Sequence, residues 1–466
     1  MIDLAVDEAG AALAGWDGRA DAWFLDGFAP SRNPEMWRTE VLDLVAARSA
    51  PGARLATFTV AGAVRRSLAE RGFTVERAAG HGRKRERLEA RLPGGPPPEL
   101  QAPRVAVVGG GIAGASQARA FARLGASVSV FDPTPGGGAS GAPAALVSPR
   151  LDVGGGPTAR LYAQAFARAA ALYRSETPWS VIAEGALRLG SGPKDAERFA
   201  RLSESELYRA ESLEALAADT TEALLGDPGV EALRMADALT LEPGAVLDAW
   251  LPPVASARVV ALSEHDGVWR LLEEDGTVAA EAEIVCLAAG PATASLANVE
   301  LEPVRGQLSW SARLDAPPSA ASWGGYAAPT REGGVLFGAT HQRGRSDSAA
   351  TADDETTNLR GLAERRPRLA QAATAAGPLQ SRAAIRAATP DRSPLAGELR
   401  PGLFVLSGLG GRGFTTAPLM AEHVAALALG VASPLARDLG ELIDPHRFQA
   451  RAARRRVKPA KAELQS

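Results

Sequence analysis

Several residue groups in this 466-residue chain have types and spacings that could do chemistry. Gly109, Gly111 and Gly114 stand in G-x-G-x-x-G spacing, and Asp132 follows 23 residues after Gly109 (132 − 109). The first such glycine allows a sharp turn, the second lets backbone approach a pyrophosphate, and the third lets a helix pack closely on a strand. An acid at the end of the next strand can accept from a ribose hydroxyl. A second small-residue turn, Gly138 to Gly141, includes Ser140 and Gly141, whose amides could face an anion. Gly408, Gly411 and Gly413 form a third glycine-rich turn, followed by Phe414 and Thr415. Arg386, five residues before Asp391, offers a planar fork that suits a carboxylate bidentately, or else makes a surface ion pair with Asp391. Asp26 follows the apolar run Ala22–Leu25, a place where sites form in open α/β sheets, although a capping Asp in a surface loop is the plainer reading.

These residues need elements to hold them. Val105–Val108 reads as a buried strand, Ala115–Leu124 as a helix that Gly125 stops, and Ser127–Phe131 as the next strand. Thr158–Tyr173 is an amphipathic helix with an apolar face suited to a core. Val259–Leu262, Val268–Glu273 and Glu281–Leu287 read as strands, the last running into Ala288-Ala289-Gly290. Val304–Trp310 and Gly333–His341 are strand-like, with Trp323 and Tyr326 as pocket or core aromatics, and 351–369 is polar and helical. A strand from Leu403 leads through the third glycine turn into a helix from about Thr415.

Ahead of this body, residues 1–91 alternate strands and helices, as an α/β sheet does. Strands are expected at Asp3–Val6, Ala22–Leu25 and Arg54–Phe58, helices at Glu40–Arg48 and Ala61–Arg71, and a hairpin from Phe73–Arg77 and Arg85–Leu88. Residues 92–103, with five prolines and two glycines, read as a linker. The 446–466 tail is rich in Arg and Lys, either a solvated helix end or a phosphate contact.

Composition narrows the function classes. Hydrophobic residues are 46% and charged residues 23%, the balance of a soluble globular protein. A net charge of −3 announces no global affinity for nucleic acid, so any such site must be local. The one cysteine, Cys286, cannot form an intrachain disulfide and sits in a strand-like run, which fits a cytoplasmic protein and a non-nucleophilic role. The start, MIDLAVDEAG, lacks a signal peptide's basic and apolar regions, and no run is long enough to span a membrane. No metal motif is evident, and a monomer is expected.

The body resembles the FAD-dependent amine oxidase superfamily that includes D-amino acid and glycine oxidases. VRGQ at 304–307, AAIRAATPDRSPLAG and GLGGRGFTTAPL are most similar to the oxidoreductase part of the bifunctional enzymes of tRNA wobble-uridine modification. DAWFLDGFAPSRNPEMW, LATFTVAGAVRRSLAERGF and GHGRKRE are similar to the C-terminal part of that family's methyltransferase domain. Ser381 and Gly411 depart from the family pattern, which has Gly and Ser there. The resemblance implies non-covalent FAD held by the three turns and Gly290, with the last helix aimed at the pyrimidine side of the flavin. It implies Arg386 as the clamp for a substrate carboxylate, and Asp26 as a methyltransferase acid. It also implies a tRNA partner, read at the wobble uridine of the anticodon. The family's glycine-rich loop for S-adenosylmethionine would precede Met1, so the expectation is that this chain oxidises but does not methylate. A small-molecule glycine or sarcosine oxidase is the alternative.

The expected fold is thus α/β: a Rossmann-like FAD-binding domain with an inserted β-rich substrate domain, preceded by a partial Rossmann-like methyltransferase domain. The oxidoreductase would span 104–445, with FAD-binding parts near 104–175, 241–300 and 380–445 and substrate parts near 176–240 and 301–379.

Overall fold

The computed structural model describes residues 4–27, 29–80, 85–95 and 102–451. It divides into two compact units, one of residues 1–102 with 426–440 and the other of 103–425 with 441–466. Half of the 92–103 linker (96–101), part of the GHGRKRE motif (81–84) and the tail from 452 lie outside the described residues.

In the first unit a four-stranded sheet runs Ala20–Phe24, Ser49–Thr57, Glu86–Arg91, Thr74–Ala79. The first pair is parallel and the others antiparallel. Helices Thr39–Ala47 and Gly62–Glu70 bury Leu42, Val45, Val64 and Leu68 against Leu55 and Phe73. The strand expected at Asp3–Val6 is corrected: Leu4–Val6 is irregular and exposed, and Asp3 lies outside the described residues. The alanine-rich segment behind it forms a helix, Ala9–Gly15, because Glu8 caps it by accepting from the Ala11 N–H at 3.0 Å.

In the second unit a six-stranded sheet runs Val254–Ala255, Ser127–Phe131, Arg104–Val108, Ile284–Leu287, Leu403–Ser407, Leu395–Arg400. All neighbours are parallel except the last pair. Val105, Val107, Val285, Leu287 and Val405 are almost fully buried, as apolar parallel strands with both faces covered must be. A three-stranded antiparallel sheet, Ala261–His265, Val268–Leu272 and Val278–Ala282, joins the same core through Trp269 and Leu271.

The second unit also holds a ten-stranded sheet. Gln380–Ala388 pairs antiparallel with Glu302–Trp310, setting Arg386 opposite Val304. This pairing puts 380–388 in the ten-stranded sheet, whereas the sequence expectation grouped it with segments now in the six-stranded sheet. The strand Ala145–Val147 likewise joins Ala232–Leu241. Three helices, Ile112–Arg123, Pro157–Glu176 and Gly413–Ala428, are tied by a buried ionic cluster. Arg119 donates to Glu176 at 2.7 Å and to Glu422 at 2.8 Å, and Arg168 donates to Glu422 at 2.7 Å.

Candidate active site

The two larger sheets of the second unit wall a cavity of about 820 Å³. Its wall includes Gly109, Gly111, Asp132, Ser140, Gly290, Arg386, Gly408, Gly411, Gly413 and Phe414. Gly114, Gly141 and Thr415 are not part of the wall. Asp26 belongs to the first unit, just past the strand Ala20–Phe24 and exposed.

Close approach explains the glycine spacing. Gly109 has φ 116°, and an added Cβ there would collide with the Ala288 carbonyl at the end of the neighbouring strand. A Cβ at Gly114 would collide with the Gly109 carbonyl oxygen, so the helix could not sit on the turn. Ile112 N–H, at the start of that helix, donates to Ser140 Oγ at 3.0 Å, joining the first turn to the second. Asp132 ties the same region: Oδ2 accepts from Gly110 N–H at 2.6 Å and Oδ1 from Thr134 N–H at 2.8 Å. Its carboxylate therefore shapes the turn, and the residue is part of the cavity wall.

The second turn has a feature the sequence reading missed. Arg382 Nη1 donates to Gly141 O at 2.5 Å, and Nη2 to Gly137 O at 2.5 Å and Gly138 O at 2.9 Å. One guanidinium thus gathers three carbonyls of the turn, whose Gly141 N–H donates internally to Gly138 O at 3.3 Å. Arg382 and Arg386 are four residues apart on one strand and so share a face, and that even spacing was the available signal.

The third turn places Gly408 and Gly410 at φ 70° and 55°, and Gly410 N–H donates to Ala387 O at 2.9 Å. The helix Gly413–Ala428 follows, with Tyr173 OH donating to Phe414 O at 2.8 Å. Thr415 is buried and its hydroxyl donates to Ser148 O at 3.5 Å, so it fixes the helix start.

Arg386 has no hydrogen-bond or ion-pair partner among the described residues. The ion pair with Asp391 does not form, because Arg447 and Arg451 take that carboxylate at 2.9 and 2.6 Å. The beginning of the basic tail is therefore anchored, with Arg447 buried, rather than a solvated end. The Arg386 guanidinium lies over Gly306 of the VRGQ motif. In the same motif Arg305 is fully buried and bonded to Asp347, Asp354 and Gln342, and Gln307 exchanges two 2.8 Å bonds with the Thr351 backbone. Ser381, which departs from the family pattern, donates to Glu355 at 2.7 Å. Gly411, the other departure, has open space where a Cβ would stand.

Burial pushes the Arg386 pKa down, opposed by the Tyr326 phenol; burial raises Tyr326 itself to about 12. Tyr326 lines the cavity, whereas Trp323 packs in the core. His341 also lines it, and burial and then the Arg386 charge hold its pKa below the ordinary value, so its imidazole stays neutral. Cys286 is buried in the strand Ile284–Leu287, and burial pushes its thiol far up. Among the described residues no cluster of His, Cys, Asp and Glu could hold a metal, and no helix is long and apolar enough to cross a membrane.

The site fits FAD. Three glycine turns converge on one cavity, two helices start at it, and Gly290 has φ 57° with open space where a Cβ would stand. The fold and cavity define an FAD-dependent oxidoreductase: residues 104–427 match the family described as FAD dependent oxidoreductase. Residues 1–93 match the S-adenosyl-L-methionine-dependent methyltransferase family. The chain belongs to the MnmC family, the tRNA 5-methylaminomethyl-2-thiouridine biosynthesis bifunctional proteins. It is 54% identical to the member from Caulobacter sp. (strain K31) over 456 residues, 97% of this chain and 75% of that protein. It is 50% identical to the member from Caulobacter vibrioides over 459 residues, 98% of this chain and 76% of that protein. Among solved structures, glycine oxidase from Geobacillus kaustophilus superposes with a TM-score of 0.61 at 24% identity, over 70% of this chain and 95% of its own. Iminodiacetate oxidase from Chelativorans sp. BNC1 gives 0.62 at 24% identity, over 71% of this chain and 97% of its own. These two likenesses speak for the fold.

Proposed function

We propose that this chain oxidises the carboxymethylaminomethyl group of a tRNA wobble 2-thiouridine, releasing the carboxymethyl carbons as glyoxylate and leaving an aminomethyl group. The observation that carries this reading is Arg386, an unpaired guanidinium in a cavity wall that also holds Tyr326 and His341, each within reach of its charge. Arg386 takes the substrate carboxylate bidentately and so fixes the methylene beside it. His341, neutral, accepts the proton that the secondary ammonium must lose before its nitrogen lone pair can assist oxidation. When bound, FAD supplies the hydride acceptor for that methylene. Water then hydrolyses the imine. The turns at Gly109–Gly114, Gly138–Gly141 and Gly408–Gly413, with Gly290 and Asp132, are the cofactor residues in this reading. Gly114, Gly141 and Thr415 act from behind the wall, holding its backbone.

A tRNA substrate makes the cytoplasm the place of action. The aminomethyl product is the group a methyltransferase would then methylate, and residues 1–93, with Asp26 as the acid, belong to that second activity of the family. The test is glyoxylate release from the purified holoenzyme with carboxymethylaminomethyl-modified tRNA, free glycine and sarcosine side by side. Turnover of the tRNA alone is expected; turnover of glycine or sarcosine without the tRNA would replace this reading with a small-molecule oxidase.

A further inference from the structure

The cavity wall holds more positive charge than the reacting group needs. One carboxylate requires one guanidinium, and Arg386 supplies it. Arg150, Arg188, Arg198 and Arg412 line the same cavity, while Asp132, on the glycine turns, is the sole carboxylate among the described lining residues. The four arginines come from separate segments. Arg150 follows the strand Ala145–Val147, Arg188 lies on the strand Val181–Leu189 opposite Ser322, Arg198 is on the helix Asp195–Ser203, and Arg412 precedes the helix Gly413–Ala428.

Their partners are mostly neutral. Arg198 donates to Leu151 O at 3.1 Å, and Arg412 to Ser148 O and Pro149 O at 3.4 Å each. Arg150 stacks over Tyr162 at 4.7 Å. Arg188 has no hydrogen-bond or ion-pair partner among the described residues. The acid near Arg198, Asp195, stands 3.8 Å away and spends Oδ2 on the Ser191 and Gly192 N–H groups. Burial first, and then neighbouring like charge, holds the pKa of Arg188 and of Arg412 down: Arg198 acts on Arg188, and Arg150 and Arg188 on Arg412. Four partly desolvated arginines share one acid, Asp195, held at 3.8 Å from Arg198; such an excess of like charge is costly, and an anion that arrives with the substrate relieves that cost.

We propose that Arg188, with Arg150, Arg198 and Arg412, forms a phosphate site that grips the RNA backbone phosphodiester next to the reacting uridine. This rests on the tRNA reading above and adds to it how the substrate is chosen. A single-stranded loop nucleotide splayed into an enzyme brings its flanking phosphates with it, whereas an amino acid brings none. Planar guanidinium forks match phosphate oxygens as they match carboxylates.

The experiment compares an anticodon stem-loop carrying the modified uridine with the same modified nucleoside, which has no phosphate. Holoenzymes of wild type, Arg188→Gln and Arg198→Gln are used, each checked for flavin content and melting temperature. For Arg188→Gln, kcat/KM on the stem-loop is expected to fall at least tenfold further than on the nucleoside. The slope of log kcat/KM against log salt should shrink by about 0.7 for each phosphate no longer neutralised. Inorganic phosphate should inhibit wild-type turnover of the nucleoside more than that of the variant. Equal losses on both substrates, with an unchanged salt slope, would overturn the phosphate site while leaving the oxidase reading intact. If wild type turns over glycine or sarcosine but neither uridine substrate, the functional reading itself has failed and the site falls with it.

Discussion

The Arg386 guanidinium lies across Gly306 on the adjacent strand: a Cβ at 306 would stand 2.6 Å from Nη2 and 2.7 Å from Cζ. The glycine of the VRGQ motif is thus a floor for the residue read as the carboxylate clamp. Gly306→Ala should displace the fork without touching the dinucleotide turns. A displacement of about 1 Å can cost on the order of 10²-fold in rate. The expected result is a large loss of kcat/KM with normal flavin content; wild-type turnover by Gly306→Ala would show that the fork position is unimportant.

Arg386→Lys separates charge from shape. Lysine keeps the positive charge but cannot bond a carboxylate through a planar fork. Turnover of the modified tRNA is expected to drop about 10- to 100-fold, the worth of one charge-assisted hydrogen bond. Steady-state kinetics showing an unchanged kcat/KM would remove Arg386 from the clamp role.

Arg382 makes a claim about the cofactor rather than the substrate. Replacing it with Met leaves the part-buried Gly141 carbonyl and the exposed Gly137 and Gly138 carbonyls without the guanidinium that gathers them, and water can replace the donor only at the exposed two. The turn should then relax and hold FAD more weakly. Fluorescence titration of apoprotein with FAD measures this, and an affinity equal to wild type would mean that the turn keeps its shape unaided.

The first βαβ unit was legible because its signals are local: glycine spacing, an apolar strand on each side, and a terminal acid. The turn-to-helix segment near Gly413 was legible for the same reason, whereas Arg386 was marked by its motif alone and its strand, Gln380–Ala388, was not. What the sequence did not show were the partners distant in the chain. Arg447 is 56 residues from Asp391 and reads as one more charge in a basic run, yet it is buried and holds the turn after the Arg386 strand. Arg382 bonds the Gly141 carbonyl 241 residues away, where no side-chain charge marks the target. The helix Ala9–Gly15 carries little local signal beyond its alanines and the cap at Glu8, and it lies outside the strand expected at Asp3–Val6.

Glu422 joins the helices that start at the cavity. It accepts from both Arg119 and Arg168, and its side chain is 3% exposed. Glu422→Ala strands Arg119, also buried, beside Glu176 alone. Breaking a buried pair this way costs about 3–5 kcal/mol. Urea unfolding should show a midpoint shift of that size, with Glu422→Gln intermediate; a shift below about 1 kcal/mol would mean that Glu176 alone satisfies Arg119.

Asp391 gives a pH dependence with a definite sign. Burial alone would raise its pKa, but hydrogen bonds from Arg447, Arg451 and the Ser393 N–H outweigh that and hold it far below the usual carboxylate range. An unfolded Asp titrates near pH 4. Below that value the unfolded chain binds a proton that the folded chain refuses, so stability from this group is complete above about pH 4 and drains away as pH falls toward the folded pKa. Asp391 also accepts from Thr389 and Ser393, shaping the turn between the strands Gln380–Ala388 and Leu395–Arg400. Asp391→Asn should therefore be clearly less stable than wild type at pH 7, and the gap should narrow by about pH 3 as wild type loses its advantage. Urea melts at the two pH values measure the gap, and a gap of the same size at both would show that the Asp391 charge contributes nothing through Arg447.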